Sequence, residues 1–288
     1  MESASIPVSS RTAGARQSLG NLRWPVRVAL VVLALAAIAT AFGPLPVPQD
    51  PNHVSLSGVF ESPSGSHLLG TDASGRDIFS RLLVGARSTL LAPLAICLVA
   101  TVFGGLIGIS MAWRGGIADT AASAGLDVVF AFPGLLAAIL AVALFGKGLV
   151  APSVALAIVY LPYIGRVVRA AALRERNLPY IAALTVQGFS GRRILSRHLG
   201  PNIAPVLIAQ AVITFSYAMV DLAAINFLGL GLQPPSSDWG VMVASGQSAI
   251  LGGHSMESLS AAFCIVAVIV SVNVLGEQFS GRPEARAA

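Results

Sequence analysis

Residues 88–113 read STLLAPLAICLVATVFGGLIGISMAW, a run with no charged side chain at any position. A helix needs about 20 apolar residues to cross the hydrocarbon core of a bilayer, and this run is long enough. Comparable runs lie near 26–43, 123–145, 148–171, 203–228 and 259–278, so the sequence predicts six spanning helices. Hydrocarbon offers no partner to a backbone N–H or C=O, and a helix satisfies both internally. The expected fold class is therefore an all-α polytopic membrane protein.

Composition points the same way. The 288 residues are 55% hydrophobic and only 11% charged, whereas a soluble domain carries about 25% charged residues. The net charge of +5 does not indicate nucleic acid, because the basic residues flank the apolar runs, where orientation accounts for them. Cys97 and Cys264 sit inside apolar runs, far from any His or acidic cluster, and read as buried small hydrophobes rather than a disulfide or metal ligands. The first run could be a secretory signal ending at Ala39-Thr40-Ala41. It exceeds the roughly 7 to 15 apolar residues of a signal core, so it reads as a span.

Counting Lys and Arg on alternate sides of six spans fixes the expected orientation. Fourteen fall on one side and four, Arg76, Arg81, Arg87 and Lys147, on the other. The positive-inside rule places both termini and the arginine-dense segment 172–202 in the cytosol. The expected organisation is a disordered cytosolic tail at 1–24 and a first transmembrane helix at 25–43. An extracytoplasmic segment at 44–87, stiffened at its start by Pro44, Pro46, Pro48 and Pro51, follows. Residues 88–280 form a five-helix core, and 281–288 a cytosolic tail.

Several residues break the apolar pattern. Asp221 would cost about 2.5 to 3.5 kcal/mol at the centre of a membrane helix, so it should face the bundle interior, a partner subunit or water. Asp127 reads as lying near the start of its helix, where a carboxylate complements the helix dipole. Pro133 and Pro162 interrupt two spans and should bend them. Gly104 and Gly108 have the GxxxG spacing that lets helix backbones approach closely.

The segment 172–202, ALRERNLPYIAALTVQGFSGRRILSRHLGPN, reads as two short helices joined by a turn at Gly188–Gly191. In the second, Ile194, Leu195 and Leu199 alternate with Arg192, Arg193 and Arg197, an amphipathic pattern. It suits an apolar ridge docking in a protein groove, and equally a helix lying on anionic lipid.

The segment HLLGTDASGRDIFSRLLVGAR at 67–87 resembles the signature HxLGTDxxGRDxxSRLxxGAR of the dipeptide, oligopeptide and nickel permeases, which are transmembrane subunits of ATP-binding-cassette importers. Gly70, Thr71, Asp72, Gly75, Arg76, Asp77 and Arg81 are the positions that carry it. Further likenesses follow in the family's order: Asp127 with Phe132-Pro133, Arg166 and Arg169, Tyr180 through Gly188, Arg197-His198 with Pro201-Asn202, and Asn226–Pro235 with Trp239-Gly240. Asp221 stands where the family usually has Glu. The resemblance runs from residue 67 to 280.

It implies a type I transmembrane domain of an importer, resident in the cell membrane, with segment 172–202 docking the ATPase subunits. At the family's Glu-Ala-Ala-x-x-x-Gly pattern stand Ala182, Ala183, Leu184 and Gly188, so the acidic residue is missing and the glycine kept. A lost carboxylate removes a charge-assisted bond of about 1.5 to 3 kcal/mol. Docking would then rest on apolar fit and on Arg192, Arg193 and Arg197, with Pro201 closing the segment.

The resemblance further implies a heterodimer with a second permease, two ATPase subunits that hold ATP and Mg, and an extracytoplasmic substrate-binding protein. Asp221, Asn226, Pro133 and Pro162 would belong to the pathway or the subunit interface. No catalytic residue, metal site or cofactor is expected on this chain. Gly146-Lys147-Gly148 lacks the spacing of a phosphate-binding loop. Peptide is the expected cargo, because no His- or Cys-rich run lines the spans, with nickel or another small solute as the alternative. An ATP-independent secondary transporter or channel, and a non-transporting scaffold, are the other classes considered.

Overall fold

The computed structural model describes residues 24–43 and 47–280. The two tails and Pro44 and Pro46 lie outside the described residues. Helices α1 (Trp24–Phe42), α2 (Ile78–Arg114), α5 (Val150–Arg176) and α11 (Met256–Ser280) are each long and apolar enough to span a bilayer. The helix Gly191–Phe227 is too; it consists of α7 (Gly191–Ile194), a π-helical turn (Leu195–Leu199) and α8 (Gly200–Phe227). A further apolar pair, α3 (Gly116–Phe130) and α4 (Gly134–Phe145), is bent by 75° at its break and makes a sixth span if the two count as one. Among the described residues there is no β-strand, only one antiparallel bridge between Thr71 and Asp77.

The boundaries depart from the expected runs for local reasons. α2 begins at Ile78, ten residues before the apolar run, because Asp77 caps it by accepting from the Ser80 backbone N–H at 2.8 Å. The last ten residues of the expected segment 44–87 are therefore helical. α5 runs on to Arg176, and most of 172–202 is helix, with α6 (Pro179–Val186) carrying Pro at its first position, where no N–H is needed. Asp127 lies in the last turn of α3, not near its start, since the helix begins at Gly116. Its carboxylate is paired with Arg166 instead of a helix N-terminus.

The two prolines expected to bend their spans behave differently. Pro133 sits at the 75° break, with Ala131 and Phe132 before it exposed. Pro162 is buried inside an unbroken 27-residue α5. There the neighbouring α2 holds the backbone, for a Cβ built on Gly104 would lie 3.0 Å from the Leu161 carbonyl oxygen.

Three apolar clusters stack along the bundle. Ile78, Leu82, Met219, Trp239 and Met242 fill one end, with α1 leaning on them through Leu33, Ala36 and Ala39. Ile96, Ala138, Leu156 and Leu222 fill the middle. Ala112, Ile164, Val168, Leu199 and Ile203 fill the other end. Large apolar side chains such as Leu98, Val102, Leu106, Phe263 and Val270 face outward, as hydrocarbon as the solvent permits.

The seam between α2 and α5 depends on the absence of side chains. A Cβ on Gly108 would come within 2.5 Å of the Gly165 carbonyl oxygen, so the two backbones touch. The GxxxG pair is thus used within the chain. Gly108→Ala should destabilise the bundle by about 1 to 3 kcal/mol through overpacking. Thermal unfolding in detergent reads this as a lower midpoint, and an unchanged midpoint would remove the seam from the argument.

Candidate functional site

At the end of the bundle where α2 begins, polar side chains make a buried knot. Asp72 accepts from the Ser74 and Arg76 backbone N–H groups at 2.7 and 3.0 Å and from Arg76 Nε at 2.7 Å. It also pairs with Arg81, which is fully buried. Arg81 Nη2 donates to the Ser236 carbonyl at 3.2 Å, and its Nη1 lies 3.8 Å from Glu257 at the start of α11. A guanidinium can be taken out of water only with such partners.

Asp77 serves twice, as the α2 cap and as partner of His67 Nδ1 at 3.0 Å. Gly70 and Gly75 adopt φ of +77° and +72°, and a Cβ on Gly75 would overlap the Ser55 carbonyl oxygen. Thr71 donates to the Gly58 carbonyl and accepts from the Glu61 N–H at 2.8 Å. Gly70, Thr71, Asp72, Gly75, Arg76, Asp77 and Arg81 thus all take part in the turns, cap and ion pairs of this segment.

A second hub lies beside it. Asp238, 1% exposed, caps α9 (Trp239–Ser245) through the Gly240 N–H at 2.9 Å. It also accepts from Asn226 Nδ2 at 2.8 Å and from the Ser88 and Thr89 hydroxyls at 2.9 and 2.8 Å. Asn226 in turn accepts from the Leu232 N–H at 2.9 Å, and Trp239 Nε1 donates to the Leu82 carbonyl at 2.9 Å. A hollow of about 480 Å³ beside this hub is lined by Arg87, Ser88, Leu91, Leu149, Ser237 and Asp238.

Within the bundle, the half-buried Asp221 accepts from the Tyr160 hydroxyl at 2.7 Å, joining α8 to α5. A Cβ on Gly134 would lie 3.7 Å from the same carboxylate oxygen, so Asp221 and the break at Pro133 are neighbours. Pro162 lies two residues beyond Tyr160 on α5, and Asn226, five beyond Asp221 on α8, is bonded to Asp238. Arg169 forms two bonds of 2.6 Å to Asp119, and Arg166 stacks on Phe130, 4.2 Å from the ring centroid.

At the other end α6 projects from the bundle. Ala182 and Ala183 are exposed, Leu184 is partly so, and Ile181 alone of the helix is buried. Gly188, at φ +81°, ends α6. Beyond it Gly191 lies against the Trp113 ring, where a Cβ would approach to 3.0 Å. Arg192, Arg193 and Arg197 are exposed, Arg193 sitting 4.8 Å over the Phe189 ring, and Pro201 is exposed in the first turn of α8.

The apolar ridge expected to dock a partner is not available. Ile194 and Leu199 are each 1% exposed and Leu195 packs with Leu199 in the chain's own core. The helix continues into α8, and that continuity turns the ridge inward.

Tyr180, at the start of α6, donates to the Glu175 carboxylate. Asn202 Nδ2 donates to Glu175 at 2.6 Å and to the Tyr180 oxygen at 3.0 Å. Burial, and donation to Glu175, push the Tyr180 hydroxyl above its usual pKa.

Sequence reasoning missed Asp238, Glu257, Tyr160 and Glu175. Asp238 stands directly before the Trp239-Gly240 pair, but nothing local reveals partners some 150 positions away. Among the described residues no group of three or more His, Cys, Asp and Glu is placed to hold a metal ion.

Five apolar helices and a bent helix pair, with a polar knot at one end and the exposed α6 at the other, define a multi-pass membrane protein. The chain belongs to the family described as the binding-protein-dependent transport system inner membrane component, whose model matches residues 104–283.

Among its relatives is the di/tripeptide transport system permease DppC of Pseudomonas aeruginosa, 35% identical over 254 residues, which are 86% of this chain and 84% of that one. A putative peptide transport system permease of Brucella suis is 36% identical over 77% of this chain and 74% of its own. The nickel transport system permease NikC of Escherichia coli is 33% identical over 77% and 80%. A chain of the MetNI methionine ABC transporter, solved in inward-facing conformations, superposes with a TM-score of 0.51 at 21% identity, covering 67% of this chain and 93% of that one. That likeness concerns the fold.

Asp72→Asn would leave Arg76 and Arg81 without their shared counter-charge. Losing one partner of a buried pair costs about 3 to 5 kcal/mol. The expected result is a much reduced level of folded protein in the membrane and a lowered unfolding midpoint in detergent; a variant as stable as the parent would refute the knot.

Proposed function

We propose that this chain is one of two dissimilar permeases that together form the pathway of an ATP-driven importer of peptides. The observation that carries the reading is the run of relatives at 33 to 36% identity over about four fifths of the chain, named for peptide transport in Brucella, Pseudomonas and Alkalihalophilus. The arginine excess supports an orientation with α6 in the cytosol and the Asp72–Arg81 knot outside. In this reading an extracytoplasmic binding protein delivers cargo to the knot end. Two separate ATPase subunits, which hold ATP and Mg, engage α6 and the exposed arginines 192, 193 and 197.

Closure of the ATPases on ATP tilts the helices as rigid bodies and alternates access to the path. Asp221, beside the break between α3 and α4, is the pathway or interface group. With Ala182 in place of the family's Glu, the docking surface of α6 offers no acid of its own.

Uptake of labelled dipeptides by cells carrying the assembled system tests the proposal. Uptake should vanish when the ATPase subunits are inactivated and persist when the ion gradient is collapsed. The reverse pattern would make the protein a secondary transporter, and nickel uptake without dipeptide uptake would change the cargo. Ser190→Cys should resist an impermeant thiol reagent in intact cells and react once the cells are opened; labelling in intact cells inverts the orientation. Gly188→Trp should abolish ATP-driven uptake while leaving membrane insertion intact.

A further inference from the structure

α6 is an eight-residue helix with one buried side chain, Ile181, yet it is the element proposed to receive motion from the ATPases. A helix held by one apolar contact and two turns would rock without moving the bundle. What ties it down is the carboxylate of Glu175. Glu175 lies in the last turn of α5, Tyr180 in the first turn of α6, and Asn202 in the first turn of α8. Tyr180 and Asn202 both donate to Glu175, and Asn202 also donates to Tyr180 at 3.0 Å. Three helices therefore meet at one anion.

Glu175 sits between Arg174 and Arg176 in sequence, but neighbours on a helix diverge by about 100° and do not face one another. Arg176 is turned away, donating to the Ala112 carbonyl at 2.6 Å and lying 5.7 Å over Trp113. The carboxylate is thus left to the phenol and the amide of the other two helices. Deeper in the membrane the same two long helices, α5 and α8, are joined again by Tyr160 and Asp221 at 2.7 Å, beside Gly134 at the α3–α4 break.

We propose that Glu175 is a positioning residue for energy coupling, clamping α6 to α5 and α8 so that displacement of α6 moves both helices together. The proposal rests on the importer reading above. Tyr180 and Asn202 act as its partners and bond to one another as well, and the role assigned to all three is mechanical.

The test uses the whole complex, reconstituted with both ATPases, the second permease and the binding protein purified with its endogenous ligand. Parent, Glu175→Ala, Tyr180→Phe, Asn202→Ala and Glu175→Gln are compared at equal permease content. Two readouts are taken: the ATPase subunits retained per permease, and the factor by which liganded binding protein stimulates ATP hydrolysis. Loss of a hydrogen bond to a charged group should lower that factor about tenfold in Glu175→Ala, and less in Tyr180→Phe and Asn202→Ala. ATPase retention should stay at the parent level. Glu175→Gln, whose amide oxygen still accepts, should recover most of the stimulation.

An unchanged factor in Glu175→Ala overturns the clamp. So does a loss of ATPase subunits in step with the loss of stimulation, which would make the triad part of the docking surface. A parent complex that fails to retain ATPases at all overturns the importer reading, and the clamp with it.

Discussion

Hydrocarbon solvates neither a peptide group nor a charge, and everything else in this molecule is arranged around that refusal. The backbone answers it by coiling into helices. The charged side chains answer it by pairing or by retreating to the two ends. Arg81 and Asp72 at one end, and Glu175 with Tyr180 and Asn202 at the other, are polar clusters that form where the apolar rods stop. In between, Asp119 has Arg169, Asp127 has Arg166, and Asp221 has Tyr160 as a donor.

Much of the fold was legible because hydropathy over about 20 residues is a strong signal and no folding is needed to read it. The errors came where a short-range rule met a long-range partner. The third span was expected from 123, yet the helix begins at Gly116 and takes in Asp119, which pairs with Arg169. The earlier start at Gly116 and the break after Phe130 together put Asp127 in the last turn of α3. Pro133 and Pro162 look alike in sequence. In the structure Pro162 sits inside α5, where Gly104 of α2 packs against the backbone, and Pro133 sits between α3 and α4.

The candidate sites divide the same way. The glycines and acids of 70–81 were legible as a set, and the structure supplies their mechanics: turns at Gly70 and Gly75, a cap at Asp77, a buried pair at Asp72 and Arg81. Asp238 and Glu257 were not legible, since each acquires its partners from segments about 150 residues away or more. The ridge at Ile194 and Leu199 shows the converse. Its amphipathic pattern was real, but a pattern reports that a face is apolar and not whose core it enters.

The continuity of α7, the π-helical turn and α8 makes the phase of one helix a shared quantity. Asn202 near its start and Asn226 near its end are 24 positions apart, about 36 Å at 1.5 Å per residue. One must face Glu175 and the other must face Asp238. Inserting or deleting a single residue between them would rotate one asparagine by about 100° relative to the other, so that only one of the two could still find its acid. The number of residues in this rod is therefore as constrained as their identity.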